Sequence, residues 1–180
     1  MSIPGEVHGV RLRLRLVQPD DAEYIHGLRT DPAYNTHLSQ VTGTAEDQRR
    51  WIEGYKEREA AGQEAYYLIE RLDNGRRCGL VRLYDIDNDR FTWGSWILDA
   101  NKPTKAALES AVLSLGVGFA ELGRSLALID VRHENTHATA FYRRFGMDQV
   151  GKDELNLYFE YPKSRFETDR TRHLNVVTGE

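Results

Sequence analysis

Apolar and polar residues alternate from Val10 to Val17, with Val10, Leu12, Leu14 and Leu16 on one face and Arg11, Arg13 and Arg15 on the other. That two-residue period predicts a half-buried strand with the arginine row as its solvated face. The period then changes. Ala22, Ile25 and Leu28 recur at helical spacing behind Pro19-Asp20-Asp21, with Asp20 placed to cap and Glu23 three residues on, and Asp31-Pro32 ends the helix. Asp31 to Gly43 is rich in turn residues and without periodicity, so it reads as a loop. A second helix is capped at Thr44, has Asp47 at its third position and runs to about Ala60, with Trp51, Ile52 and Tyr55 on its buried side.

A strand meander follows: Ala65 to Arg71, Cys78 to Tyr84 and Phe91 to Leu98, joined by Asp73-Asn74-Gly75 and Asp87-Asn88-Asp89. Leu108, Ala111, Leu115, Phe119 and Leu122 predict a third helix stopped by Gly123. Ser125 to Arg132 reads as a buried strand. Asn135 and Gly146 then bracket a short helix with Ala138, Phe141 and Phe145 as its apolar stripe and Tyr142 on the flank. In Glu154 to Tyr161, Leu155, Leu157, Phe159 and Tyr161 alternate with polar residues and Tyr158; from Pro162 the chain is charged and aperiodic and reads as a flexible tail. The succession predicts an α/β fold, a mixed and mostly antiparallel central sheet of about six to seven strands flanked by about four helices. Residues 1–161 make one domain and 162–180 a charged tail.

Composition narrows the partners. A chain of 180 residues that is 40% hydrophobic fits one core. Its net charge of −4, with both signs interspersed, lacks the clustered basic face that nucleic acid requires. No apolar run approaches the ~20 residues that cross a bilayer, no signal-peptide pattern is present, and the lone Cys78 excludes an internal disulfide. These features read as a cytoplasmic protein without a membrane partner. Asp85, Asp87 and Asp89 imitate a calcium loop, but Arg90 and Trp96 stand where its Gly and Glu belong. His133 and His137 lack the Glu and the third ligand of a zinc helix. No metal site is expected.

The pattern Asn135, Ala138, Tyr142 and Gly146, following the strand-like Leu126 to Val131, resembles the C-terminal half of the GCN5-related N-acetyltransferase family, with Met147 where a Phe is usual. The likeness extends loosely from Val10 to Tyr161, nearest to the branches that acetylate nucleotide-linked amino sugars and ribosomal-protein alanine. It implies acetyl-CoA as cosubstrate, bound without a metal. By the same resemblance Tyr142 protonates the departing thiolate, a backbone N–H near Leu98 polarises the thioester, and Asn135 orients the cofactor arm.

The family's glycine-rich pyrophosphate turn is degenerate. Asn101-Lys102-Pro103-Thr104-Lys105-Ala106 occupies its place, leaving a helix N-terminus, the Thr104 hydroxyl and the Lys102 and Lys105 charges to meet the phosphates. Among carboxylates and imidazoles, His133 and Asp85 are the candidates for the base. Trp51, Asp85 and Trp93 fall on the acceptor side, where an aromatic face can stack on a sugar or base. The resemblance implies acetyl transfer to a primary amine of a nucleotide-linked amino sugar. A protein N-terminus is the alternative acceptor, an inactive coenzyme-binding module is a third reading because of the missing glycines, and a homodimer stays open.

Overall fold

In the computed structural model, which describes residues 2–179, eight strands form one sheet in the order β1-β2-β3-β4-β5-β6-β8-β7. They are β1 Glu6–His8, β2 Leu12–Leu16, β3 Ala65–Arg71, β4 Arg77–Tyr84, β5 Arg90–Leu98, β6 Leu126–Arg132, β7 Asp148–Lys152 and β8 Asn156–Pro162. The helices are α1 Ala22–Thr30, α2 Pro32–Asn35, α3 Ala45–Ala60, α4 Ala106–Gly116, α5 Thr136–Phe145 and α6 Lys163–Thr178. The mixed sheet agrees with the sequence pattern, with more strands and helices than expected.

Period two on the central strands sets the layers. Tyr66 and Leu68 of β3 point with Ile25, Ile52 and Tyr55 into the core under α1 and α3. Tyr67 and Ile69 point the other way, into the larger core with Leu115, Phe119, Phe145 and Phe166.

Several local expectations are corrected by backbone hydrogen bonding. The leading strand starts only at Leu12, because the buried Glu109 carboxylate on α4 accepts the N–H groups of Val10, Arg11 and Leu12 and pulls the β1–β2 turn onto that helix. Val10 is consequently exposed. Asp20 does not cap the first helix. Asp21 instead accepts the Gln18 N–H across a 3-10 turn, Pro19–Asp21, and Asp20 pairs with Arg49. The loop after α1 contains α2, started by the Asp31 carboxylate on the Ala33 N–H.

Thr44 and Asp47 form the expected capping box on α3. Trp51 on that helix lies at the rim, 39% exposed, rather than in the core. Its ring stacks on Tyr55 and meets the edge of Tyr66, while the Arg58 and Arg82 guanidinia lie near its face.

The charged C-terminal segment is not a flexible tail. It forms α6, anchored in the core by Phe166, His173 and Val177, whose spacing of seven and four residues makes one helical stripe. The Arg11 guanidinium and the Lys105 ammonium donate to the carbonyls of Val177 and Gly179 at its C-terminal end, as cations do at that pole.

The arginine row is not solvated either. The Arg15 fork grips both oxygens of Asp21 at 2.8 Å and reaches Glu70 of β3 at 3.1 Å, and Arg13 binds the same Glu70. Burial pushes the Asp21 pKa up, but the bonds from Arg15 and Gln18 outweigh it and hold the carboxyl below its ordinary value. A depressed pKa gives stability that is complete above the unfolded value near ~4 and is lost as pH falls through the folded one. Urea midpoints measured between pH 6 and pH 2 should therefore fall more steeply for the wild type than for Asp21→Asn, and parallel slopes would show that the pair contributes nothing.

Two irregularities open the sheet. β5 carries one more residue than β4 between the pairs Leu80–Ile97 and Arg82–Gly94, and Ser95 in that bulge takes a left-handed φ of 49°. On its other edge β5 runs parallel to β6 only where Arg90, Phe91 and Thr92 face Leu126, Ala127 and Leu128. Beyond Thr92 the two strands pair no further. α4 covers this region, closes in a π-turn, Val117–Glu121, and admits the Phe91 ring where Gly118 has no side chain.

Candidate active site

Parting β5 from β6 exposes backbone and side chains that a continuous sheet would hide, and two cavities meet there. The first encloses about 260 Å³ and is bounded by Ser95 and Trp96 of β5, Asp130 and Arg132 of β6, Tyr84 of β4, Tyr142 of α5, and Arg29, His37 and Ser39 from α1 and the loop after α2. The second, of about 360 Å³, lies between α4 and α5 and is bounded by Trp96, Leu98, Lys102, Ala107, Asn135 and Phe141. Trp96, Asn135 and Ala138 line both.

α5 is built as its sequence implies. The Asn135 side chain accepts the Ala138 N–H at 3.2 Å, and Gly146 closes the helix with a φ of 113°. Tyr142 then projects between the sheet and the first cavity, its ring edge-on to Trp93 and Phe159. The residue is 6% exposed and lines the cavity. Burial, and secondarily the charge of Asp130, push its phenol pKa well up, so it keeps its proton throughout the neutral range. No hydrogen bond among the described residues consumes that proton.

Trp96 stands where the two cavities join, its indole N–H donating to Ser110 at 3.1 Å. Trp93 makes the equivalent bond to Ser114 at 2.8 Å and is fully buried. It therefore supports Tyr142 and does not contact an acceptor. Leu98, Lys102 and Asn135 border the second cavity together.

The remaining residues expected at the pyrophosphate turn are dispersed. Ala106 is buried at 2%, Thr104 borders a groove with Arg11, Arg71 and Asp73, and Lys105 holds the end of α6. Lys105 takes a left-handed φ of 62° before α4, so the chain makes without glycine a turn that glycine usually makes. Thr104 does not cap the helix. The first turn of α4 retains backbone donors for an anion. The second cavity is walled by the apolar side chains of Trp96, Leu98, Ala107 and Phe141, with Lys102 at its border.

His133 lies away from the first cavity, its Nε2–H donating to the Asp153 carbonyl at 2.6 Å. Asp85, at φ 48°, borders a neighbouring groove that shares Tyr84 and Asp130 with that cavity. Asp130, which periodicity passed over inside an apolar strand, is the carboxylate in the chamber with Tyr142. The sequence signal was a single acid among Leu128, Ile129 and Val131. Arg29 also escaped notice, being a charged residue on the polar side of α1. Among the described residues no group of three or more His, Cys, Asp or Glu side chains is arranged to hold a metal, and no helix is long and apolar enough to cross a membrane.

A sheet parted between two parallel strands, with a helix N-terminus on one side of the opening and a protonated tyrosine on the other, is the architecture of an N-acetyltransferase. Residues 11–148 match the acetyltransferase (GNAT) domain, and the chain belongs to the GNAT family. Among solved structures it is similar to apo FdhC, described as a nucleotide-linked sugar GNAT, with 36% identity, a TM-score of 0.87 and coverage of 93% of this chain and 96% of that one. The fold is also shared by Mycobacterium smegmatis RimJ in complex with CoA-disulfide, at 16% identity, TM-score 0.79 and coverage of 97% and 95%. Spermidine N-acetyltransferase from Vibrio cholerae in complex with CoA and spermine has 18% identity, TM-score 0.74 and coverage of 87% and 98%. No curated protein sequence matches.

Proposed function

We propose that this acetyltransferase moves an acetyl group directly from acetyl-CoA to the primary amine of a nucleotide-linked amino sugar. The observation that carries the reading is the end-to-end likeness to FdhC, a nucleotide-linked sugar GNAT, at an identity well above that of the spermidine or RimJ-type relatives. The chamber agrees with it. Tyr84, Tyr142, Asp130 and Arg29 give it an aromatic, mixed-charge lining able to hold a sugar by its ring faces and hydroxyls.

In this reading the donor arm lies in the second cavity, between Leu98 and Asn135, with its thioester at the junction beside Trp96. The amine arrives as an ammonium, drawn by Asp130. Asp130, through water, accepts the proton that blocks the nitrogen lone pair, the role for which the sequence offered His133 and Asp85. The freed amine attacks the thioester carbonyl, whose developing oxyanion is met by backbone N–H groups left unpaired where β5 leaves β6. As the carbon–sulfur bond breaks, Tyr142 gives its proton to the thiolate, and water restores the phenol. The nitrogen loses its second proton to solvent, so the products are the amide, the free thiol and a proton.

The test is thiol release from acetyl-CoA with a panel of UDP- and dTDP-linked amino sugars, free amino sugars, polyamines and N-terminal peptides. The expected result is a kcat/KM at least ~10²-fold higher for one nucleotide-linked sugar than for any peptide. Peptide turnover at the higher efficiency would transfer the assignment to protein N-termini.

A further inference from the structure

The first cavity does not end at its own wall. Arg29 and Ser39 belong equally to a further cavity of about 350 Å³, bounded by Gln40, Thr42, Thr44, Gln48, Trp51, Tyr66 and Arg82. Two buried polar groups in its wall, Arg29 and Tyr66, face each other and no anion among the described residues. Arg29 Nε is buried without a well-formed hydrogen bond, and the hydroxyl of Tyr66, a residue 1% exposed, meets only the Arg29 guanidinium, which leaves its own proton without an acceptor among the described residues. Buried polar groups left with unused hydrogen-bonding capacity are destabilising, so two of them beside one opening need a reason.

Charge sharpens the point. The Arg29 guanidinium meets only neutral groups, Ser39 and the Tyr66 hydroxyl, and among the described residues no carboxylate pairs with it. Arg82 shares Glu64 with Arg58, leaving that trio one positive charge in excess. Asp47, the acid in the wall, is already committed to Thr44 and Arg50. The capping box of α3 takes up the Thr44 and Asp47 N–H groups, and the side-chain groups turned toward the cavity are those of Arg29 and Tyr66. Trp51 presents a partly exposed indole at the rim of the same cavity, with Tyr55 and Tyr66 against it and the Arg58 and Arg82 guanidinia near its face. A cation and a hydroxyl seeking an anion, placed between a sugar-sized chamber and an exposed aromatic plate, follow the order of parts in a nucleoside diphosphate sugar.

We propose that Arg29, Tyr66 and Trp51 form a nucleoside-diphosphate subsite, with the phosphates held by Arg29 and the Tyr66 hydroxyl and the base stacked on Trp51. The assignment rests on the nucleotide-sugar reading of the first chamber and gives it an orientation. The diphosphate crosses the shared wall at Arg29, and the sugar enters the chamber from there, amine foremost, toward Tyr142.

Calorimetric titration with UDP and dTDP, with uridine, thymidine and pyrophosphate as partial probes, tests it on the full chain. The wild type binds one of the two diphosphates. Arg29→Gln weakens that binding roughly 10- to 100-fold, the range of a charge-assisted hydrogen bond, and the near-isosteric Tyr66→Phe weakens it ~3- to 10-fold with folding intact by circular dichroism. Trp51→Leu weakens the diphosphates while leaving pyrophosphate unchanged. Equal affinity in the wild type and in both Arg29→Gln and Tyr66→Phe overturns the subsite, as does the absence of diphosphate binding. Failure of the function is read separately, by thiol release with phosphate-free amino sugars. Turnover there without diphosphate binding removes the subsite and keeps the acyltransferase, whereas Arg29-dependent diphosphate binding without turnover of any amine keeps the subsite and removes the acceptor assignment.

Discussion

Tyr142→Phe should lower turnover about 100-fold while changing the KM for acetyl-CoA less than ~2-fold, the split expected when a proton donor is removed and the binding surface is kept. The argument begins with packing. The Tyr142 ring is held by Trp93, Trp96 and Phe159, and Phe keeps all of those contacts. The lost hydroxyl has no protein partner, so its removal orphans nothing. What disappears is the proton proposed to reach the sulfur.

The pH profile adds a second readout. Burial, with Asp130 behind it, raises the phenol pKa, and a raised pKa means that the proton is retained as the solution becomes alkaline. Wild-type turnover should climb as the amine and its base deprotonate and then stay flat to at least pH ~10, with no falling limb from Tyr142. The Phe variant should show the same climb to a lower plateau. An unchanged plateau would take Tyr142 out of the chemistry.

Glu109→Gln should cost about 2–4 kcal/mol of stability, read as a lower urea midpoint at unchanged slope. Glu109 is 2% exposed, and one of its oxygens accepts the N–H groups of Val10, Arg11 and Leu12 at 2.9, 3.0 and 2.8 Å. Three converging donors need acceptor lone pairs, and the amide of Gln turns a donor toward them or leaves part of the set unmet. The pocket has no slack: a Cβ on Gly9 would stand 2.3 Å from the same oxygen. Because Glu109 lies in the first turn of the helix proposed to receive the cofactor phosphates, the variant should also raise the KM for acetyl-CoA, measured well below its unfolding midpoint. An unaltered midpoint would show that solvent replaces the carboxylate without loss.

The legible parts of the molecule were those whose causes are local. A capping Asn135, a stopping Gly146 and a stripe of Ala138, Phe141 and Phe145 determine α5 whatever surrounds it. The same holds for the Thr44 and Asp47 box on α3. Asp130 was illegible because its exposure depends on β5 leaving β6. That departure accompanies a bulge at Ser95, a non-glycine residue with positive φ whose sequence signal was Gly94 just before it inside a strand pattern. α6 was hidden by composition: its anchors, Phe166, His173 and Val177, are sparse among charged residues, and α4 must already be in place for them to bury against. Lys105 was read as a charge for the cofactor phosphates, but its ammonium donates to the Gly179 carbonyl, far along the chain.

The placement of the indoles has a practical outcome. Trp51 sits at the rim of one cavity, Trp96 at the junction of two others and Trp93 fully enclosed beneath Trp96, so the protein carries fluorophores at three depths. In the proposed arrangement donor loading should alter the surroundings of Trp96 and, through the ring contact between them, of Trp93, and nucleotide loading those of Trp51. Intrinsic emission of Trp51→Phe and Trp96→Phe variants thereby separates the arrival of the two substrates in time, and stopped-flow traces can order them without a label.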